Sequence, residues 1–260
     1  MIKEQEKFAD TNIFEGMPSI SAVIKSIENK NSTRNIISVY IDESKKRSKS
    51  KEIGFLKAKA ITMGFDINFV GSEKIDSLSI GNSHGGIIAE CTKRIIPWLQ
   101  EDDIGKNGVY YLLEGIEDPY NFGNAIRSLY AFGADGIILS ERNWLGVAGT
   151  VARSSAGTSE LLPAYISDTA QAINMFKKKG YKIICAGIRD SESLYNTDLS
   201  KPLLVVLGGE KRGISRSVLD MADKIVRIEY GAEFNGSLSA SSSAAVFGYE
   251  ILRYNKKIIK

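Results

Sequence analysis

Three short stretches of the 260-residue chain gather glycine, serine and a few polar side chains in spacings that could do chemistry. The first runs Asp118-Pro119-Tyr120-Asn121-Phe122-Gly123-Asn124-Ala125-Ile126-Arg127 and on to Gly133. Pro119 disfavours helix at Asp118, Asn121 is a good N-cap and Gly133 a good C′ residue, so one short helix is expected, its N-terminal amides suited to a phosphate. Arg127, one turn beyond Gly123, adds a planar fork of donors. A plain cap and a surface arginine fit the same spacing. The second stretch is an apolar strand, Leu203 to Leu207, entering Gly208-Gly209-Glu210-Lys211-Arg212-Gly213. Paired glycines there let main-chain groups meet a flat ligand closely, although a Gly-Gly turn is also ordinary turn chemistry. Neither the dinucleotide glycine spacing nor a Gly-Lys-Ser/Thr ending is present, which argues against NAD and ATP. The third, Asn235 to Ala245, is a run of small residues entering a helix, where serines cap and small side chains pack closely.

These stretches need elements to position them. From Val109 onward the pattern alternates: strand to Leu113, helix Phe122 to Phe132, strand Gly136 to Leu139, helix Asp168 to Lys179 and strand Lys182 to Ala186. It continues with strand Leu203 to Leu207, helix Ser215 to Met221, strand Lys224 to Ile228 and helix Ala240 to Arg253. The order predicts an α/β fold, a mostly parallel sheet with helices on both faces, whose ligands sit outside the carboxyl ends of the strands. The loops after Leu113, Ala186, Leu207 and Ile228 are therefore the expected site. Upstream, helix Ser21 to Glu28, strand Asn35 to Ile41, helix Ile53 to Met63 and strands Asp66 to Val70 and Gly86 to Cys91 predict a smaller α/β unit. The polar, aperiodic run from Pro97 to Asn107 marks the boundary, giving domains 1–100 and 108–260 joined by a linker at 101–107.

Composition narrows the chemistry. With 43% apolar and 25% charged residues the chain is an ordinary globular one, and its longest apolar runs are far short of the roughly 20 residues of a membrane span. Met1 to Asp10 read as neither a secretory signal nor an Arg-rich transit peptide, so the cytoplasm is the expected location. Cys91 and Cys185 lie in apolar strands and read as reduced core thiols, and a lone His84 reads as a turn residue; no metal site is expected. A net charge of +3 does not decide for or against nucleic acid, because clustering matters more than the sum.

Taken together and in this order, the three stretches resemble the motifs of the SpoU/TrmH family of RNA 2′-O-ribose methyltransferases, within the SPOUT superfamily, over residues 108–255. Val151-Ala152-Arg153-Ser154-Ser155-Ala156-Gly157 is similar to a family segment ending in Ser-Ala-Gly, and the region from Ser21 to Trp98, with His84-Gly85-Gly86 near its end, is similar to the L30e-like substrate-binding domain that precedes many ribosomal-RNA members. The resemblance implies a C-terminal trefoil knot, an obligate homodimer and S-adenosylmethionine as cofactor. On matching positions Ala186, Gly187, Leu207, Gly208, Gly209, Ile228, Ser237 and Leu238 would hold that cofactor, while Asn121, Arg127, Glu210 and Ser237 would form the reactive corner. The family role of Arg127 is to orient or deprotonate the hydroxyl; because a guanidinium stays protonated, electrostatic help is the expected form of it. Glu210 would orient Arg127 or Asn121, or cap the helix that follows. Two departures stand out: Ser237-Leu238-Ser239 replaces Ser-Leu-Asn, and Ile228-Glu229-Tyr230 replaces Ile-Pro-Met. Asn235 or Asn124 is the expected source of the missing amide.

Lys45, Lys46, Arg47, Lys49 and Lys51 place five cations in seven residues, a density that suits an RNA backbone and equally a solvated loop. Stacking of Tyr120 or Phe122 on an unpaired base is a further expectation, with Phe122 reading more readily as core. The front domain favours ribosomal over transfer RNA by analogy. The rival readings are a transfer-RNA 2′-O-methyltransferase, a base methyltransferase, and a non-catalytic RNA-binding or ribosome-assembly protein on the same fold.

Overall fold

The structure is a computed structural model that describes residues 12–30, 32–81, 84–140, 148–209 and 213–258. It resolves into two units: one takes the chain to Ile95 together with Asn143–Leu161, the other Ile96–Arg142 with Leu162–Lys260, each over its described residues.

In the first unit β1 (Ile13–Glu15), β4 (Ile87–Cys91), β2 (Ile36–Asp42) and β3 (Asp66–Val70) form a sheet in that order, β2 parallel to β3 and β4 antiparallel to both its neighbours. Helix α1 (Gly16–Glu28) lays Ile20, Val23, Ile24 and Ile27 on the sheet at helical spacing. Helix α2 (Ser50–Met63) stops at Gly64, whose φ of 75° provides the left-handed C-terminal residue. A third helix, α3 (Ser72–Leu78), was not anticipated. His84 is a turn residue as expected: its Nδ1 accepts the Gly86 amide at 3.1 Å and its Nε2 lies 3.5 Å from Asp76.

The expected division of the chain does not match these units. Helices α5 (Ala148–Ser154) and α6 (Thr158–Leu161) belong to the first unit, with Ala148 and Ala152 in its core. Buried polar pairing fixes them there. Arg153 meets Glu15 at 3.0 Å, and the other Glu15 oxygen accepts the amides of Ile80 and Gly81. Arg34, 1% exposed, donates to Glu160, 4% exposed, at 3.0 Å, and Arg94 donates to the Ser159 carbonyl at 2.8 Å. Gly157 must be glycine, since its φ is 84° and a Cβ would stand 2.5 Å from that of Ala22 in α1. The Ser-Ala-Gly segment thus packs a small sheet's helix.

The second unit is a seven-stranded sheet in the order β7 (Ala164–Ile166), β6 (Gly136–Leu139), β5 (Val109–Glu114), β10 (Leu203–Gly208), β8 (Lys182–Ala186), β11 (Lys224–Arg227) and β9 (Glu192–Ser193), and every ladder in it is parallel. Tyr110, Leu112, Cys185, Leu204 and Val206 face α7 (Thr169–Lys178) and α8 (Arg216–Leu219). Val109 and Tyr111 point to the other face, beside Phe132 and Ile251 at the ends of α4 (Pro119–Ala131) and within α9 (Ala240–Ile258). Those two helices approach so closely that a Cβ on Gly248 would meet the Phe132 ring at 2.9 Å. The expected linker 101–107 is folded into this unit: Glu101–Asp103 is a 3₁₀ turn, Ile104 is buried, and the hydroxyls of Tyr110 and Tyr181 bond Gly105. Two buried phenols need partners, and this run supplies them. Both cysteines are buried and free, and burial pushes each thiol up to about 12, so neither is a nucleophile.

Glu160 pairs with the buried Arg34 guanidinium and also acts electrostatically on that of Arg94. Glu160→Gln is therefore expected to lower the stability of the first unit by about 3–5 kcal/mol, the usual cost of leaving a buried charge uncompensated. A denaturant midpoint equal to that of the parent protein would refute it.

Candidate cofactor pocket and reactive corner

Strand β10 delivers the glycine turn to the carboxyl edge of the sheet, and two close backbone approaches hold it there. The Gly209 amide donates to the Glu114 carbonyl at 2.7 Å, and a Cβ on Gly209 would lie 2.0 Å from the Gly115 carbonyl oxygen. Gly213, at φ 61°, donates back to the Gly209 carbonyl at 3.0 Å and closes the turn, so a Cβ on Gly208 would meet the Gly213 carbonyl carbon at 2.6 Å. Only glycine fits either place. Glu114 adds a side-chain tie to Ser215 beyond the turn; burial raises its carboxyl pKa, and the Ser215 amide bond opposes that rise.

Behind this turn lies a cavity of about 330 Å³, within the ordinary range for small-molecule sites. Its wall includes all eight residues expected to hold a cofactor: Ala186, Gly187, Leu207, Gly208, Gly209, Ile228, Ser237 and Leu238. The loop after Leu113 does not line it and instead braces Gly209. Sequence reasoning missed Arg189, Arg227, Tyr230 and Phe247, which also line it. Tyr230 occupies the position of the family methionine, where its hydroxyl accepts the Leu238 amide at 3.2 Å and its ring packs edge-on against Phe234. The departure at 230 was visible in the sequence; that a phenol would brace the third stretch was not. Arg227 is committed to Glu229 at 2.8 Å and to the Ser191 carbonyl. A larger cleft, about 590 Å³, opens at the amino ends of the strands beside Val109 and Lys201, away from the glycine turn.

Two expectations about α4 need correction. The N-cap is Asp118, not Asn121: the Asp118 carboxylate accepts the amides of Tyr120 and Asn121, each at 3.1 Å, and Pro119 takes the first helical position. A charged acceptor before a proline of fixed φ is a better cap than a side-chain amide one turn in. Its carboxylate also occupies the helix start, so no phosphate is needed there. Asn121 is thereby released from capping, and its Oδ1 accepts the Ser241 hydroxyl at 3.3 Å, linking α4 to α9. Ser237 stands at the pocket wall. Arg127 does not: it is exposed, lines no part of the pocket, and has no hydrogen bond or ion pair among the described residues. Glu210 falls outside the described residues. Ser239, in place of the family asparagine, accepts the Ser242 amide at 3.1 Å and caps α9, while Asn124 and Asn235 are exposed.

In the first unit Lys46 and Lys49 pair with Glu43 and Glu52, at 3.1 and 2.9 Å, and Lys46 also lies over the Phe69 ring. Lys45, Arg47 and Lys51 are exposed and make no ion pair among the described residues. No group of three or more metal-binding side chains occurs among those residues, and none of their helices is long and apolar enough to cross a membrane.

A parallel α/β sheet with a glycine-cradled pocket at its carboxyl edge is the arrangement of a small-molecule-binding α/β fold. The profile of the SpoU rRNA Methylase family matches residues 108–249, and the chain belongs to that family. Along its sequence it is 30% identical to the 23S rRNA (guanosine-2′-O-)-methyltransferase RlmB of Blochmanniella floridana, over 90% of this chain and 92% of that one. It is 27% identical to YacO of Bacillus subtilis (strain 168), named for the TrmH family of tRNA/rRNA methyltransferases, over 90% and 93%. Its fold is that of an AdoMet-bound rRNA methyltransferase from Sinorhizobium meliloti, with a TM-score of 0.75 over 93% of this chain and 87% of the other at 20% identity.

Because backbone atoms stand where a Cβ would go, Gly208→Ala must open the turn. S-adenosylmethionine binding by calorimetry is expected to weaken at least about tenfold, a change of 1.4 kcal/mol; unchanged affinity would show that the turn does not shape the pocket.

Proposed function

We propose that this chain transfers the methyl group of S-adenosylmethionine to a ribose 2′-hydroxyl of RNA, with ribosomal RNA as the substrate. The observation that carries the reading is the convergence on one pocket of glycines from the second motif and Ser237 and Leu238 from the third, with Asn121 of the first tied to the same helix start. The pocket fits the cofactor: its apolar wall of Leu207, Ile228 and Leu238 suits an aromatic base, and Gly187, Gly208 and Gly209 expose main-chain groups to it.

When bound, the cofactor supplies a methyl carbon on a sulfonium, whose charge is neutralised as the methyl leaves. The chain's task is then to hold the hydroxyl oxygen in line and to accommodate its proton. Asn121 hydrogen-bonds the ribose, Ser237 closes the corner at the pocket wall, Arg127 steadies a phosphate and the developing negative charge as a fixed cation, and Glu210 orients one of the two. Arg127 lies away from its own pocket, which supports its acting in a homodimer, from one copy on the other's site. Exposed Tyr120 and Tyr130 on α4 with Val246 and Tyr249 on α9 offer the apolar surface for that pairing. The trefoil knot belongs to the same reading, as do a cytoplasmic location and an L30e-like role for the first unit, whose free Lys45, Arg47 and Lys51 support RNA contact there. The 23S rRNA named for RlmB supports ribosomal RNA, while YacO's name leaves transfer RNA as the alternative to be tested.

Incubating the protein with S-adenosylmethionine and either 23S ribosomal RNA or bulk transfer RNA, followed by nucleoside mass spectrometry, is expected to yield a 2′-O-methylated nucleoside in the ribosomal RNA. A base-methylated product, or RNA binding with no product and no cofactor binding, would reject the assignment. Replacing Lys45, Arg47 and Lys51 by Ala is expected to weaken RNA binding and to reduce the slope of log affinity against log salt by about 2, from roughly 0.7 per phosphate contact on single strands. An unaltered slope would move RNA contact elsewhere.

A further inference from the structure

The start of α9 contains more than a cap. The Ser242 amide donates to Ser239 Oγ at 3.1 Å, Ser239 and Ser241 share a hydrogen bond at 2.9 Å, and Ser241 donates to Asn121 Oδ1 at 3.3 Å. An amide oxygen can only accept and a hydroxyl has one proton to give, so the Asn121 end fixes the direction of the chain. Ser241 gives its proton to Asn121, so in its bond with Ser239 it accepts, and Ser239 in turn accepts from the Ser242 amide and, at 3.0 Å, from the Ser242 hydroxyl.

We propose that Ser239 and Ser241 form a one-way hydrogen-bond relay that sets the orientation of the Asn121 side chain, making them positioning residues for methyl transfer. The inference rests on the placing of Asn121 in the reactive corner. It accounts for the departure at 239. A serine is too short to replace an asparagine in the corner, but it can cap the helix and pass orientation to a second hydroxyl two residues on. The outcome is a defined amide: with Oδ1 engaged by Ser241, Asn121 cannot flip to present its carbonyl in place of its NH₂ without breaking the chain. Aligned hydroxyls also polarise one another, which strengthens the last bond. Ser243, on the same helix start, makes no part of this chain but lines the pocket, so it serves as the internal control for the Asn121 signals alone and not for turnover.

The test uses the full-length protein with Ser241→Ala, Ser239→Ala, Ser241→Thr, Ser243→Ala and Asn121→Ala. In ¹⁵N-labelled protein the Asn121 side-chain NH₂ signals, assigned by their loss in Asn121→Ala, are expected to shift in Ser241→Ala and Ser239→Ala and to stay in place in Ser243→Ala. In turnover, Ser241→Ala is expected to lower kcat about tenfold, the worth of one well-placed hydrogen bond, with KM for RNA and cofactor affinity unchanged. Ser241→Thr, which keeps the hydroxyl, should restore most of kcat, and adding Ser241→Ala to Asn121→Ala should cost nothing more. Unmoved Asn121 signals in both relay variants would overturn the proposal, as would additive losses in the double variant. Parent protein that fails to methylate any RNA would instead count against the assigned reaction, and the NMR readout would still decide the relay.

Discussion

The site depends on one constraint, the contact of two peptide backbones with no side chain between them. Past the ends of β5 and β10 the ladder continues by one rung, Gly209 to Glu114, and the chain must then turn over Gly115 at a distance that leaves no room for a Cβ. That contact aims the turn back on itself through Gly213 and leaves main-chain groups facing the cavity. A parallel sheet buried on both faces gives the turn a rigid base, since β10 is paired along its length with β5 and β8. Where a ligand site is made of backbone it is shaped by topology more than by side-chain identity, and the eight wall residues expected from the sequence are mostly glycine and aliphatic.

Much of this was readable because glycine and serine positions carry backbone meaning. The alternation of strand and helix from Val109 gave every long strand of the second unit to within a residue or so, and the loops after Ala186, Leu207 and Ile228 do meet at one pocket. Where reading failed, the missing information was tertiary. Asn121 looks like a cap because its own residue type favours caps, yet Asp118 and Pro119 together are a stronger one. Nothing local marks 148–161 as part of the first unit, because the partners that hold it, Glu15, Arg34 and Ala22, are more than a hundred residues away in sequence. The run 101–107 looks like a linker for its polarity, whereas its carbonyl and amide groups satisfy the hydroxyls of Tyr110 and Tyr181.

The same logic explains how the family motif tolerates change here. Tyr230 and Ser239 both depart from the family pattern, and both end up bonded to the main chain at the start of α9, Tyr230 to Leu238 and Ser239 to Ser242. Each therefore supports the geometry of Ser237-Leu238, the part of the third motif that lines the pocket, without entering the pocket as a new charge. Arg227 is neutralised by Glu229, the residue standing in the place of the family proline, so the second substitution brings its own counter-ion. Exchanges of this kind conserve the backbone path while changing what holds it. Asn121 and Arg127 are different, for their proposed roles lie in their side chains, and the fold treats them differently: one is tied to α9 by a serine, the other stands exposed and unpaired among the described residues. Residues six apart on a helix lie about 120° from each other around its axis, so the two proposed corner residues leave α4 on different faces. The proposed homodimer would answer this geometry by letting Arg127 serve the site of the second copy.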